Sequence, residues 1–118
     1  MIDVWEGNRV PENVTALTKE TFRTYTGSQS CLVILFRQHC PHCQVLMAVI
    51  DKCRSLCTDL AVAGVDVDAY PEILQALGVS RVPTVLVYRN GKVSARRSGV
   101  MSPSELLTLL ASPNARTV

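Results

Sequence analysis

The chain has 118 residues, 47% of them hydrophobic and 19% charged, with a formal net charge of +2. That length fits one domain, and the apolar fraction is ample for a packed core. The mild positive balance does not argue for nucleic acid, because no basic run exceeds Arg96–Arg97 and the aromatics are few, and no stretch approaches the roughly 18 apolar residues of a membrane helix.

Residues 1–12 are a polar lead-in that lacks the basic start and apolar segment of a secretory signal, so the expected location is the cytoplasm. "NVTALT" suits a short edge strand, Thr18 can cap a helix over "KETFRTY", and "GSQS" reads as a loop. "CLVILF", residues 31–36, is a continuous apolar run with β-branched members, as expected of a central strand covered on both faces. The period then changes. Cys43, Leu46, Ile50, Cys53, Cys57 and Leu60 recur at three- and four-residue steps, one face of a helix from Pro41 to about Leu60. Pro41 fits its first turn, where a missing N–H costs nothing. "LAVAGVDV" reads as a second buried strand, and Pro71 opens a short helix that Gly78 ends.

Two strand-like runs then flank Asn90–Gly91, the dipeptide that best accepts the positive φ values of a type I′ hairpin. In "SPSELLTLL", Ser102 is the N-cap, Pro103 the first helical residue and Glu105 the third, a capping box ahead of a leucine face. Residues 112–118 read as a tail. The predicted order is β-α-β-α-β-α-β-β-α. This is an α/β chain over 1–118, a mixed sheet of four to five strands with helices on both faces, its two ends flexible.

"HCPHC", residues 39–43, stands where the central strand meets the long helix. Cys40 falls at the helix N-terminus, where free N–H groups and the positive dipole end favour an anion. A thiol attacks disulfides only as thiolate, and His42 can donate a hydrogen bond or carry positive charge beside that sulfur. Cys43 lies three residues on, turned toward the core. Cys40 is therefore the expected nucleophile and Cys43 the resolving thiol. Zinc is the chemical rival: His39, Cys40, His42 and Cys43 are all ligand types, but they crowd into five residues, no second pair follows at zinc-finger distance, and Cys53 and Cys57 lie too far along the helix to complete a tetrahedron, so no metal is expected. Haem attachment is excluded because Gln44 follows Cys43. Cys31, Cys53 and Cys57 read as small core residues. Cys53 lies about 15 Å along the helix from Cys43, too far to bridge.

With these residues in view, the chain resembles the thioredoxin family over roughly residues 13–111. The resemblance rests on C-x-x-C at a strand–helix junction, on "VDVDAYPE", on "RVPT" like the family's cis-proline motif, and on "VYRNGK" followed by Gly99 and a C-terminal helix. It implies a thioredoxin-like fold and a dithiol–disulfide oxidoreductase with no bound cofactor. It further implies disulfide-bearing substrate proteins, a separate reductase or other thiol donor, and a monomer. A cis Val82–Pro83 bond is implied beside the dithiol, leaving the backbone of Val82 to pair with an extended substrate segment. Arg81 would then border the substrate groove, favouring acidic partners or supporting the thiolate, unless it is a plain solvated arginine. His39 either steers charge at the site or occupies an exposed loop end.

The chain also departs from the family. Phe36 and His39 replace the tryptophan-rich entry, the only tryptophan being Trp5. Pro41–His42 resembles the oxidase DsbA rather than the Gly-Pro of thioredoxin, as does Val82, although only about 40 residues separate Cys43 from Pro83, too few for DsbA's helical insertion. The family's buried aspartate falls on Ile34 and its lysine partner on Gly64, which leaves the activation of Cys43 without its usual base. Ala48 replaces the proline that kinks the family's second helix, so a straighter helix is expected. A stabilised thiolate makes the disulfide more oxidising, so the expected potential lies above thioredoxin's, between about −270 mV and DsbA's about −120 mV. The alternatives are the opposite direction, a dithiol oxidase or isomerase, and a non-catalytic binding module on the same fold.

Overall fold

The chain was analysed as a computed structural model that describes residues 14–55 and 61–111. The lead-in, the tail, Trp5, Cys57 and Leu60 lie outside the described residues. The elements are β1 (Thr15–Ala16), α1 (Phe22–Ser28), β2 (Cys31–Phe36), α2 (Pro41–Arg54), β3 (Ala61–Asp66), α3 (Pro71–Leu77), β4 (Thr84–Arg89), β5 (Lys92–Ser98) and α4 (Pro103–Ala111). This is the order expected from the sequence.

The five strands form one mixed sheet in the order β1-β3-β2-β4-β5. β3 runs parallel to β1 and β2, β4 antiparallel to β2, and β5 antiparallel to β4. Every residue of β2 is buried, and its period-two alternation divides the core into two layers. Leu32, Ile34 and Phe36 pack with Leu46, Met47 and Ile50 of α2 and Leu106 of α4. Cys31, Val33 and Leu35 pack on the other face with Ile73 of α3 and with Phe22 and Tyr25 of α1.

Local chemistry accounts for most boundaries. Asn90 and Gly91 have φ of 55° and 77°, the left-handed pair that a type I′ turn requires. Gly78, with φ 66°, closes α3. Ser102 and Glu105 form the reciprocal capping box. The Ser102 N–H donates to Glu105 Oε1 at 2.8 Å and the Glu105 N–H to Ser102 Oγ at 3.2 Å, which holds the Glu105 carboxyl below its usual range.

One boundary differs from expectation. α1 begins three residues later than the helix expected over 19–25, and it absorbs Gly27 and Ser28 of the expected loop. Thr18 and Thr21 exchange bonds, Thr18 N–H to Thr21 Oγ1 at 2.9 Å and Thr21 N–H to Thr18 Oγ1 at 3.2 Å, the reciprocal pattern of a capping box, and the Phe22 N–H donates to the Thr18 carbonyl at 2.9 Å, so the capped turn leads directly into the helix. α2 is described to Arg54, with Ser55 at its C-cap, where the N–H keeps the helical bond to the Asp51 carbonyl at 3.3 Å and the hydroxyl donates to the Lys52 carbonyl at 2.7 Å; the expected run on to Leu60 lies outside the described residues.

Candidate active site

The β2–α2 junction presents the dithiol. His39 adopts φ 56°, a left-handed conformation that histidine tolerates better than most residues, and it turns the chain from strand into helix. Cys40 is the N-cap of α2 with extended backbone, Pro41 is the first helical residue, and the Cys43 N–H donates to Cys40 Sγ at 3.2 Å. A sulfur thus occupies the place of the usual capping oxygen, facing the free N–H groups and the positive end of a 14-residue helix. Cys40 is partly exposed, whereas Cys43 is fully buried beneath it. Burial is the main cause that pushes the Cys43 thiol up to about 12. Its hydrogen bond with Cys40 acts in the same sense, and the Arg37 main chain and charge oppose both.

The strand–helix loop is tied to the end of β3. Gln38 Nε2 donates to Asp66 Oδ2 at 3.1 Å, Arg37 Nε to Asp68 Oδ1 at 3.1 Å, and the Asp68 N–H to Asp66 Oδ1 at 3.0 Å. None of these four residues was singled out as a site residue from sequence, because each needs a contact about thirty positions away.

The Val82–Pro83 peptide bond is cis. His42, Arg81, Val82, Pro83, Gly99 and Val100 line one surface groove of about 420 Å³. His42 from the dithiol helix and Arg81, Val82 and Pro83 from the prolyl loop therefore meet across it, although about forty positions separate them in sequence. Cys40 and Val82 both pack against the core layer beneath α2. Exposed Arg81 makes no ion pair among the described residues, while Lys19, Arg37 and Arg97 each do. His39 is exposed on the loop and is not part of the groove lining. Gly99 and Val100 join the groove from beyond β5. The Gly99 N–H holds the Pro83 carbonyl at 2.8 Å, a contact invisible in sequence.

Ile34 is fully buried and lies opposite Gly64 on β3. A Cβ on Gly64 would stand 3.3 Å from Phe36 Cε1 and 3.6 Å from Ile34 Cγ2. Apolar atoms thus fill the space of the family's acid–lysine pair, and among the described residues no carboxylate is buried. Cys31 and Cys53 are buried as expected. Burial pushes the Cys31 thiol up to about 11, and Cys53 Sγ donates to the Pro103 carbonyl at 3.5 Å. Among the described residues no three histidine, cysteine or acidic side chains converge as a metal site would require.

A half-exposed thiol capping a helix, a buried thiol one turn on and a cis-proline groove, carried by a five-stranded mixed sheet between helices, define a thioredoxin-fold dithiol protein. The comparisons with known proteins agree. The thioredoxin family profile matches residues 13–112. The chain is 30% identical over 95 residues to a putative thioredoxin 2 of Streptomyces coelicolor, covering 80% of this chain and 71% of that one. It is 24% identical over 97 residues to a thioredoxin of Chlamydia caviae, covering 82% and 95%. The solution structure of desulfothioredoxin from Desulfovibrio vulgaris Hildenborough in its reduced form superposes with a TM-score of 0.74 at 34% identity, covering 83% of this chain and 95% of that one. The chain belongs to the thioredoxin family and is a thiol–disulfide oxidoreductase of that family.

Proposed function

We propose that the protein reduces disulfides of substrate proteins, with Cys40 as nucleophile and Cys43 as resolving thiol. The Cys40 thiolate attacks one substrate sulfur, forming a Cys40–substrate disulfide and releasing the other substrate sulfur as thiolate. Cys43 then gives up its proton and attacks Cys40 Sγ. The second substrate thiolate leaves, and the two electrons gained by the substrate are those lost in forming the Cys40–Cys43 disulfide. A reductase or another thiol donor returns the pair to the dithiol. The observation that carries this assignment is the asymmetry of the pair: Cys40 Sγ, partly exposed, accepts the Cys43 N–H at 3.2 Å, while Cys43 itself is fully buried.

His42 supports the Cys40 anion and Pro41 starts the helix whose dipole stabilises it. Val82 offers its backbone to an extended substrate segment beside Pro83. Arg81 and His39 bias the approach of that segment by charge. The protein acts as a monomer, and the reductive direction suits a reducing compartment such as the cytoplasm. Its potential lies above thioredoxin's about −270 mV, because a stabilised Cys40 thiolate stabilises the reduced form. Among the described residues no helix is long and apolar enough to cross a membrane.

Insulin-disulfide reduction tests the assignment. Cys40→Ser should abolish it, and Cys43→Ser should accumulate a mixed disulfide that dithiothreitol releases. Trapping through Cys43 in a Cys40→Ser protein would reverse the roles. A glutathione redox titration giving about −270 mV or lower would refute the proposed potential.

A further inference from the structure

The prolyl loop is held from beneath by a buried hydroxyl. Thr84, the first residue of β4, is 0% exposed, and its Oγ1 donates to the Arg81 carbonyl at 2.6 Å. A threonine hydroxyl has one proton. With that proton committed to Arg81, the 2.8 Å contact between Thr84 Oγ1 and Ser98 Oγ is a bond donated by Ser98. Ser98 is the residue opposite Thr84 on β5. The next residue, Gly99, donates its N–H to the Pro83 carbonyl. The end of β5 thus anchors both carbonyls that flank Val82, one through Thr84 and one directly.

The consequence follows from peptide geometry. The Arg81–Val82 bond is trans, so its C=O and N–H point in opposite directions from one plane. Thr84 turns that carbonyl inward. The Val82 N–H therefore points away from Thr84, on a residue that lines the groove with Arg81 and Pro83, and it has no main-chain partner among the described residues. A main-chain donor pairs with an incoming strand only if its direction is set before the strand arrives.

We infer that Thr84 is a positioning residue for substrate recognition: its hydroxyl, seated by Ser98, fixes the Arg81–Val82 peptide plane so that the Val82 N–H is presented to the backbone of an extended disulfide substrate. This rests on the proposed pairing of Val82 with substrate. It adds a specificity determinant that never touches the substrate and that selects for peptide backbone over bare disulfide.

The test compares two disulfides in single-turnover reactions with the reduced protein. One is a ten-residue linear peptide carrying a cysteine–cysteine disulfide to a second copy of itself. The other is 2-hydroxyethyl disulfide, which has no amide. The readout is the ratio of second-order rate constants, peptide to small disulfide. Thr84→Val should lower that ratio about five- to tenfold, the value of one main-chain hydrogen bond, and Thr84→Ser should restore it. Should Thr84→Val not fold, Ser98→Ala at an exposed position removes the outer link and should lower the same ratio by a smaller factor. A ratio unmoved by Thr84→Val, or by Ser98→Ala where that variant stands in, would overturn the inference while leaving substrate pairing at Val82 intact. A native protein that treats the two disulfides alike would overturn that pairing, and this inference with it.

Discussion

The protonation of Cys43 is the most exacting consequence of the site. The side chain is fully buried, and its thiol is pushed from the ordinary 9.0 up to about 12, mainly by burial. Three pH units correspond to about a thousandfold less thiolate at any pH below both values, or about one molecule in 10⁵ at pH 7. Iodoacetamide reacts with the thiolate alone. In a Cys40→Ser protein, which keeps the burial that dominates but loses the raising effect of the Cys40 sulfur, alkylation at Cys43 should be up to about a thousandfold slower at pH 7 than at a free cysteine peptide in the same solution. It should climb about tenfold per pH unit from 7 to 10 without levelling. Site-resolved mass spectrometry of timed aliquots separates Cys43 from Cys31, Cys53 and Cys57. A plateau below pH 10, or a rate at pH 7 within about tenfold of the free peptide's, would refute the idea that Cys43 waits as a protonated thiol. In the catalytic cycle the same burial means that Cys43 should lose its proton as it attacks the mixed disulfide, since among the described residues no buried carboxylate stands by to take it earlier.

Three further outcomes are expected. Cys31 and Tyr88 are raised by burial to about 11 and about 12, so the folded reduced protein keeps protons that the unfolded chain loses from pH 9 and 10 upward. Stability should therefore fall by about 1.4 kcal/mol per pH unit above pH 9 through Cys31 and by as much again above pH 10 through Tyr88, and denaturant midpoints that stay flat from pH 9 to 11 would contradict this. Ile34→Asp places a carboxylate at a fully buried position that has glycine opposite. It should cost several kcal/mol at pH 7 and less at pH 4, where the neutral acid is buried instead, and an equal loss at both pH values would show that the pocket is not apolar. His42→Pro removes a donor from the groove lining and should lower the redox potential toward about −270 mV, whereas an unchanged potential would remove His42 from the account of thiolate stabilisation.

Much of this architecture was legible because it is local. The apolar run of β2, the Asn90–Gly91 turn, the Ser102–Glu105 box and Gly78 at the end of α3 each act over a few residues. The placement of Cys40 on a helix N-terminus was legible for the same reason: Pro41 and the change of period beside it mark where the helix must begin. At the start of α1 the cap is where the sequence puts it, Thr18 and Thr21 holding each other reciprocally, but the capped turn precedes the regular helix, which begins at Phe22.

By itself, the order of residues determined the alternation of strands and helices, the helix-capping thiol and the buried one beneath it, because side-chain period, turn geometry and helix dipoles are settled within a turn or two of chain. Only the tertiary structure decided what lies opposite what: Gly64 against Ile34, Ser98 against Thr84, and His42 across a groove from Arg81, Val82 and Pro83. Those meetings depend on strand order and register, which arise when a whole sheet closes over two apolar layers and which no single segment encodes.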